Sequence, residues 1–293
     1  MKTNVVLLQK EASIKVALPR IEFFIDKLQK NEKFIYLKIN HGFFDRLVAS
    51  KKIQRKHGGK VDVKTLIKNM YPARGPYHIK VSKDIYDRLV HNQFKYFFDK
   101  KYNYVYLGIS DSNGMKGSQD PGNGASKQRI NFIEEIMNLS YRDFCIHGGR
   151  IRHWAINGQA QKLFTELNKE KYNVILIGPK YMKEYSSLLD FNSHVVIPPI
   201  SAGTQIDDII QRTINQLKSN KENVVLGSTA LLGFTIADIH KKHNLTYIDI
   251  GRSFDYLVKD KIPNQPWFRK PIDFWKNRVK QINKFPIIEK INL

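Results

Sequence analysis

The chain holds a single cysteine, Cys145, in 293 residues. A lone thiol excludes an intramolecular disulfide and any zinc or iron–sulfur centre built from several cysteines. Flanked by Phe144 and Ile146, it reads as a small core residue rather than a nucleophile. Long apolar runs are missing too. Nothing approaches the ~20 residues needed to span a bilayer, and no signal-peptide stretch opens the chain, so the expected location is cytoplasmic. The phosphate-loop pattern GxxxxGK(S/T), GxGxxG after a strand, HExxH and GxSxG are all absent. ATP hydrolysis, dinucleotide redox chemistry and serine hydrolysis are demoted accordingly. The last deficit is negative charge: 27 Asp and Glu stand against 49 Lys and Arg, a net +22. That balance points to anionic partners, namely nucleic acid, an acidic membrane surface or a phosphorylated substrate. The bland alternative is a lysine-rich, merely solvated surface.

What is present is a series of short β-branched runs that break at glycine. Val174–Gly178, Val224–Gly227 and Thr246–Gly251 recur at the spacing of one βα unit, and Phe34–Ile39 and Tyr104–Ile109 are similar runs further upstream. Expected helices lie between them, near 180–188, 205–219 and 231–242, with a further strand at 194–197. Others are expected at Ile21–Leu28, Val81–Phe98, Gln128–Leu139 and Asn157–Asn168. Strands alternating with helices predict a Rossmann-like α/β fold, its mostly parallel sheet covered by helices on both faces. Residues 1–258 are expected to form one α/β domain with a preamble at 1–33, and 259–293 a basic, aromatic extension with a short helix from Ile272. Residues 51–68 carry seven Lys or Arg against one acid, Asp62, which suits a basic surface segment. The Gly-, Ser- and Asp-rich stretch 111–127 suits either a functional loop, such as a lid, or a disordered segment. Asp207-Asp208 reads as a helix cap rather than a metal pair.

Three blocks carry a resemblance. Lys38-Ile39-Asn40-His41-Gly42-Phe43 is similar to the Arg-Phe/Tyr-Gly-Asp-Gly-Glu stretch of GT-D glycosyltransferases. Ile177-Gly178-Pro179 is similar to their Ile-Gly-Pro strand end. Gly227-Ser228-Thr229-Ala230 and Asp249-Ile250-Gly251-Arg252 resemble their Gly-Pro-Thr-Ala-Ser/Thr turn and Asp-Ile/Leu-Gly-His block. Over residues 34–255 the resemblance implies transfer of a sugar from a nucleoside-diphosphate sugar, UDP-sugars foremost, to a hydroxyl. It also implies Mn2+ or Mg2+ held by an Asp-x-Glu pair. Here those two positions are His41 and Phe43. His41 or Asp45 could ligate a metal, or a metal-independent mechanism could rely on cations.

The expected site follows from strand ends. Asp249, with Asp111 and His41, is the catalytic expectation; Asp255 is a weaker base candidate. Lys38, Asn40, Gly42, Gly178, Gly227, Ser228, Thr229 and Arg252 are expected to bind the donor, because a small-residue turn opening a helix exposes N–H groups to phosphate. The cluster His147-Gly148-Gly149-Arg150-Ile151-Arg152-His153-Trp154 combines freed backbone with cations and a stacking ring. Arg150, Arg152 and Trp154 are therefore assigned to the acceptor, together with Trp267, Arg269, Lys270 and Trp275 of the tail. The positive charge favours DNA carrying hydroxymethylated bases, as some bacteriophages make, as that acceptor. A membrane surface bearing a lipid-linked or cell-surface glycan is second. From another class, a non-catalytic nucleic-acid-binding protein on a degenerate α/β scaffold would explain the lost carboxylate pair.

Overall fold

The computed structural model describes residues 2–7, 15–39, 98–109, 144–198, 205–229, 232–261 and 287–292, with isolated positions elsewhere. These residues build one ten-stranded sheet. Its strands are β1 (Lys2–Leu7), β2 (Lys15–Ala17), β3 (Ile35–Ile39), β4 (Val105–Ile109), β5 (Cys145–His147), β6 (Tyr172–Gly178), β7 (Ser193–Val196), β8 (Glu222–Gly227), β9 (Leu245–Asp249) and β10 (Ile287–Asn292). The spatial order is β10-β1-β2-β5-β4-β3-β9-β8-β6-β7. Every neighbouring pair from β2 to β7 is parallel, and β1 runs antiparallel to both β2 and β10. The Rossmann-like, mostly parallel sheet therefore stands as expected. The preamble and the end of the tail, however, belong to this same sheet through β1, β2 and β10.

Parallel strands buried on both faces need apolar side chains at every position, and β6 is buried throughout. Val174 and Leu176 face one way, packed with Phe24, Trp154, Phe164 and Phe254. That layer is supplied by α1 (Glu22–Gln29), α2 (Arg150–Ile156), α3 (Ala160–Leu167) and two 3-10 segments, Lys180–Ser187 and Asp255–Lys261. The alternate residues Ile175, Ile177, Val225 and Tyr247 are equally buried on the opposite face. There α4 (Ile206–Ile214) packs along β7 and α5 (Leu232–Ala237) along β3.

Some expectations change in detail. The 180–188 segment is 3-10 rather than α-helical, an arrangement that eclipses i and i+3 and so drives Met182 and Tyr185 together into the core. The helix expected over 205–219 stops at Ile214. Beyond it the Asn223 side chain both accepts from the Lys218 N–H and donates to the Lys218 carbonyl, drawing the chain into a turn. Asp207 and Asp208 lie in the first turn of α4 rather than at its cap, and Asp208 pairs with Arg212. The helix expected over 231–242 splits into α5 and α6 (His240–His243), closed by Asn244 at φ 49°. The helices at Gln128–Leu139 and most of Val81–Phe98 lie outside the described residues, as does the 111–127 loop.

Candidate functional site

At the carboxyl ends of the strands, β6 and β8 send the chain to opposite faces. β6 leads through Pro179 into the 180–187 segment, while β8 leads toward α5, whose Gly233 lies against Tyr247 on the other side. Divergent exits of this kind open a crevice at the end of an α/β sheet. At this edge Gly178 ends β6, Gly227 ends β8 with Ser228 and Thr229 after it, Asp249 ends β9 with Arg252 in the turn beyond, and Lys38 lies near the end of β3.

The small residues turn out to be shaped by packing. A Cβ on Gly227 would collide with the hydroxyl of Tyr247, and one on Gly178 with the sulfur of Met182. Thr229 shares a 2.8 Å hydrogen bond with that same Tyr247 hydroxyl. The Ser228 N–H, expected to face phosphate, donates to the Ile177 carbonyl at 2.8 Å and extends the β-ladder by one rung. The Gly227 carbonyl accepts from the N–H groups of both Ile250 and Gly251. The turn after β8 is thus clamped beneath the turn after β9, with its nearest donor already engaged.

The charged residues gather one strand over. Asp249 ends β9 and is 3% exposed. Its Oδ2 accepts from the Lys38 backbone N–H at 3.2 Å and its Oδ1 from the Gly251 N–H at 3.0 Å. The Lys38 ammonium stands 3.5 Å from Oδ1. Burial raises the Asp249 pKa, against the pull of Lys38 and the two N–H groups; burial likewise lowers that of Lys38, against the attraction of Asp249. Gly251 takes φ +49°, and a Cβ there would run into the Lys38 ammonium. Asp249 therefore ties β3, β9 and the turn into one unit.

A second carboxylate sits close by. Asp255 is 1% exposed and accepts from Tyr185 Oη at 2.5 Å and from Tyr181 Oη at 3.3 and 3.4 Å. Burial raises its pKa, opposed by the Tyr185 bond, Arg252, the Tyr181 bond and Arg152. The Arg152 charge also bears on Lys38 and on Tyr256. Two segments that follow different strands, 180–187 after β6 and 255–261 after β9, are joined by this carboxylate. Sequence reading missed both tyrosines; their only signal was a Tyr-x-x-x-Tyr spacing after Gly178-Pro179.

The acceptor assignments fare differently. Trp154 is 1% exposed, edge-on to Phe24 at 5.5 Å, so its ring is core and offers no stacking surface. The apolar positions of α2 turn it inward, which the dense polar neighbourhood disguised. Arg150 lies over that ring and donates from Nε to the Pro19 carbonyl at 2.6 Å. Burial pulls its pKa down to about 10. It fixes α2 to the segment before α1. Arg152 is the member of the cluster that joins the charged group. His147 and His153 are buried and stacked, ring centroids 5.1 Å apart. Asn40, His41, Gly42, Asp45, Asp111, Trp267, Arg269, Lys270 and Trp275 lie outside the described residues.

This geometry can be set beside known proteins. No sequence-family model matches the chain, and no curated protein sequence matches it. Solved structures do. A structure described as a new glycosyltransferase (DUF1792) from Streptococcus sanguinis overlays with a TM-score of 0.51 at 12% identity, covering 85% of each chain. The fold is the DUF1792 glycosyltransferase fold. Two further structures of that domain overlay at 0.48 (13% identity, 82% of this chain and 79% of the other) and 0.44 (16%, 83% and 86%).

The resemblance implies a divalent metal, and the residues can be tested for one. Among the described residues no group of three or more His, Cys, Asp or Glu side chains converges. Both oxygens of Asp249 accept N–H groups, and the Lys38 ammonium stands 3.5 Å from Oδ1. The positions to which the resemblance gives the metal, His41 and Phe43, lie outside the described residues, as does Asp45. Nor is any helix among the described residues long and apolar enough to cross a membrane.

Proposed function

We propose that this protein transfers a sugar from a nucleoside-diphosphate sugar, UDP-sugars first, to a hydroxyl of a hydroxymethylated base in DNA. The observation that carries the transfer reaction is the overlay on a glycosyltransferase of the DUF1792 fold, with a half-buried Lys38 paired to the buried Asp249 at the carboxyl edge of the sheet. The departing diphosphate gains negative charge as the glycosidic bond breaks, and cations fixed beforehand lower that barrier without reorganising. Lys38 and Arg252 serve that role. The acceptor's proton passes to a carboxylate; Asp249, whose burial raises its proton affinity, is the described candidate. The acceptor follows from charge. A net +22 suits a phosphate backbone that must be held while one base is presented.

The test is direct. Purified protein is incubated with a panel of UDP-sugars and hydroxymethylcytosine-containing DNA, and the nucleosides are weighed by mass spectrometry. A gain of one sugar residue per modified base is expected. Sugar appearing only on lipid-linked or surface glycans would replace the acceptor and keep the chemistry. Tight DNA binding with no turnover of any donor would favour the non-catalytic reading.

A further inference from the structure

A second concave surface lies at the opposite edge of the sheet. The amino ends of β6, β8, β9 and β3 are neighbours there: Tyr172 stands opposite Glu222, Asn223 opposite Leu245 and Ile35 opposite Tyr247. The segments that enter β6, β8 and β9 border an open cavity of about 730 Å³. Lys171 precedes β6, Lys218 and Lys221 precede β8, Lys242 of α6 precedes β9, and all four line it. Lys171, Lys218 and Lys242 are exposed. Among the described residues Lys218, Lys221 and Lys242 make no ion pair. Lys171 stands 3.9 Å from Glu166, whose oxygens already accept from Lys169, Gln29 and Tyr172. Glu222, an acid on the same wall, is engaged by Lys33 and by the Asn31 amide at 2.8 Å. Burial lowers the Lys33 pKa, and the charge of Lys171 lowers it further.

We propose that Lys171, Lys218, Lys221 and Lys242 hold the phosphodiester backbone of DNA, on a surface separate from the transfer site. The proposal rests on the nucleic-acid part of the reading above and not on the sugar chemistry. β6 is seven residues long, which at ~3.3 Å each puts the cavity roughly 20 Å from the carboxyl edge. From β6 to β3 the sheet crosses three strand spacings of ~4.8 Å, about 14 Å in all. One strand of a duplex carries about four phosphates over that length. A row of cations with that reach fits an extended polyanion better than a single phosphate group. Asn220 and Asn244 add amide donors to the same wall, and Leu217 is the one apolar side chain among the described lining residues. So little apolar surface argues against an anchor in lipid.

Fluorescence anisotropy of a labelled DNA duplex, titrated with the full chain from about 50 to 200 mM salt, tests the surface. Lys171→Gln, Lys218→Gln and Lys242→Gln are combined in one variant. Lys162→Gln, Lys183→Gln and Lys259→Gln, at exposed lysines elsewhere, form a control that loses the same charge. Circular dichroism and melting temperature confirm that both are folded. The first variant is expected to reduce the magnitude of the slope of log affinity against log salt by about three, roughly one per phosphate contact. The control is expected to keep a slope near that of the wild type. Equal losses in the two variants overturn the surface and leave the DNA acceptor standing, as does a first variant that binds like the wild type. Absence of salt-sensitive DNA binding by the wild type overturns the surface and the DNA acceptor together. Binding to phosphatidylserine vesicles in that case assigns the positive charge to a membrane.

Discussion

Tyr247 explains more of the carboxyl edge than any catalytic residue does. Its hydroxyl occupies the space that Gly227 and Gly233 leave open and bonds to Thr229. Gly227→Ala should therefore destabilise the fold by about 1–3 kcal/mol through overpacking, read from urea denaturation. Were Gly227 a phosphate cradle alone, stability would hold and only donor affinity would fall. The Lys38–Asp249 pair yields a sharper expectation. Asp249→Asn leaves a largely buried ammonium uncompensated and should cost roughly 3 kcal/mol or more, whereas Lys38→Met with Asp249→Asn should regain most of it. A double-mutant cycle in guanidinium measures the difference. The sequence marked Asp249, Lys38 and Arg252 as site residues by their place at strand ends, and the structure brings Lys38 and Asp249 together. Trp154 shows the opposite case: an aromatic among arginines looks exposed until the helix that carries it is placed. Tyr181 and Tyr185 were invisible because their partner, Asp255, lies some seventy residues away.

At the level of elements, most strands were legible because β-branched runs ending in glycine have few other readings. β5 was not, since three residues carry no period, nor was β10, hidden behind a basic and aromatic tail. Helix ends failed where side-chain hydrogen bonds decide them, as at Asn223. The contact between the 180–187 and 255–261 segments depends on the Asp255 carboxylate. Tyr185→Phe removes a buried hydroxyl donor and should lower stability by about 1–3 kcal/mol. Amide hydrogen exchange should quicken in both segments at once. If only one quickens, the bridge is not what couples them. β7 offers a pH test. His194 ring nitrogen contacts the Gly178 carbonyl at 3.2 Å, and burial holds its pKa below the ordinary 6.5 despite that contact. The unfolded chain therefore binds the proton more readily than the folded one. Stability from this group is full above pH 6.5 and is lost as pH falls from there through the folded value. Melting temperature of the wild type should drop over that window, and His194→Gln should remove that part of the drop.

Across the whole molecule, charge sets the behaviour in solution. With 49 cationic residues against 27 acidic ones, association with DNA should be strongly salt-dependent. If six to ten phosphates are neutralised, affinity should fall by about 10³–10⁵ between 50 and 200 mM salt. A titration by fluorescence anisotropy reads the slope; a flat response would detach the charge from nucleic acid. The antiparallel pairing of β1 with β10 sets Lys2 opposite Asn292. Nearly the whole chain separates the two strands, so this rung of the sheet has the longest loop to close. During synthesis at about 5–20 residues per second, β1 emerges on the order of tens of seconds before β10 exists. Throughout that interval one edge of β1 presents unpaired backbone groups to whatever else the ribosome and its neighbours supply. Among the described strands the latest made is the one that closes the earliest, so a chain interrupted before β10 would carry a nearly complete sheet with its oldest edge still open.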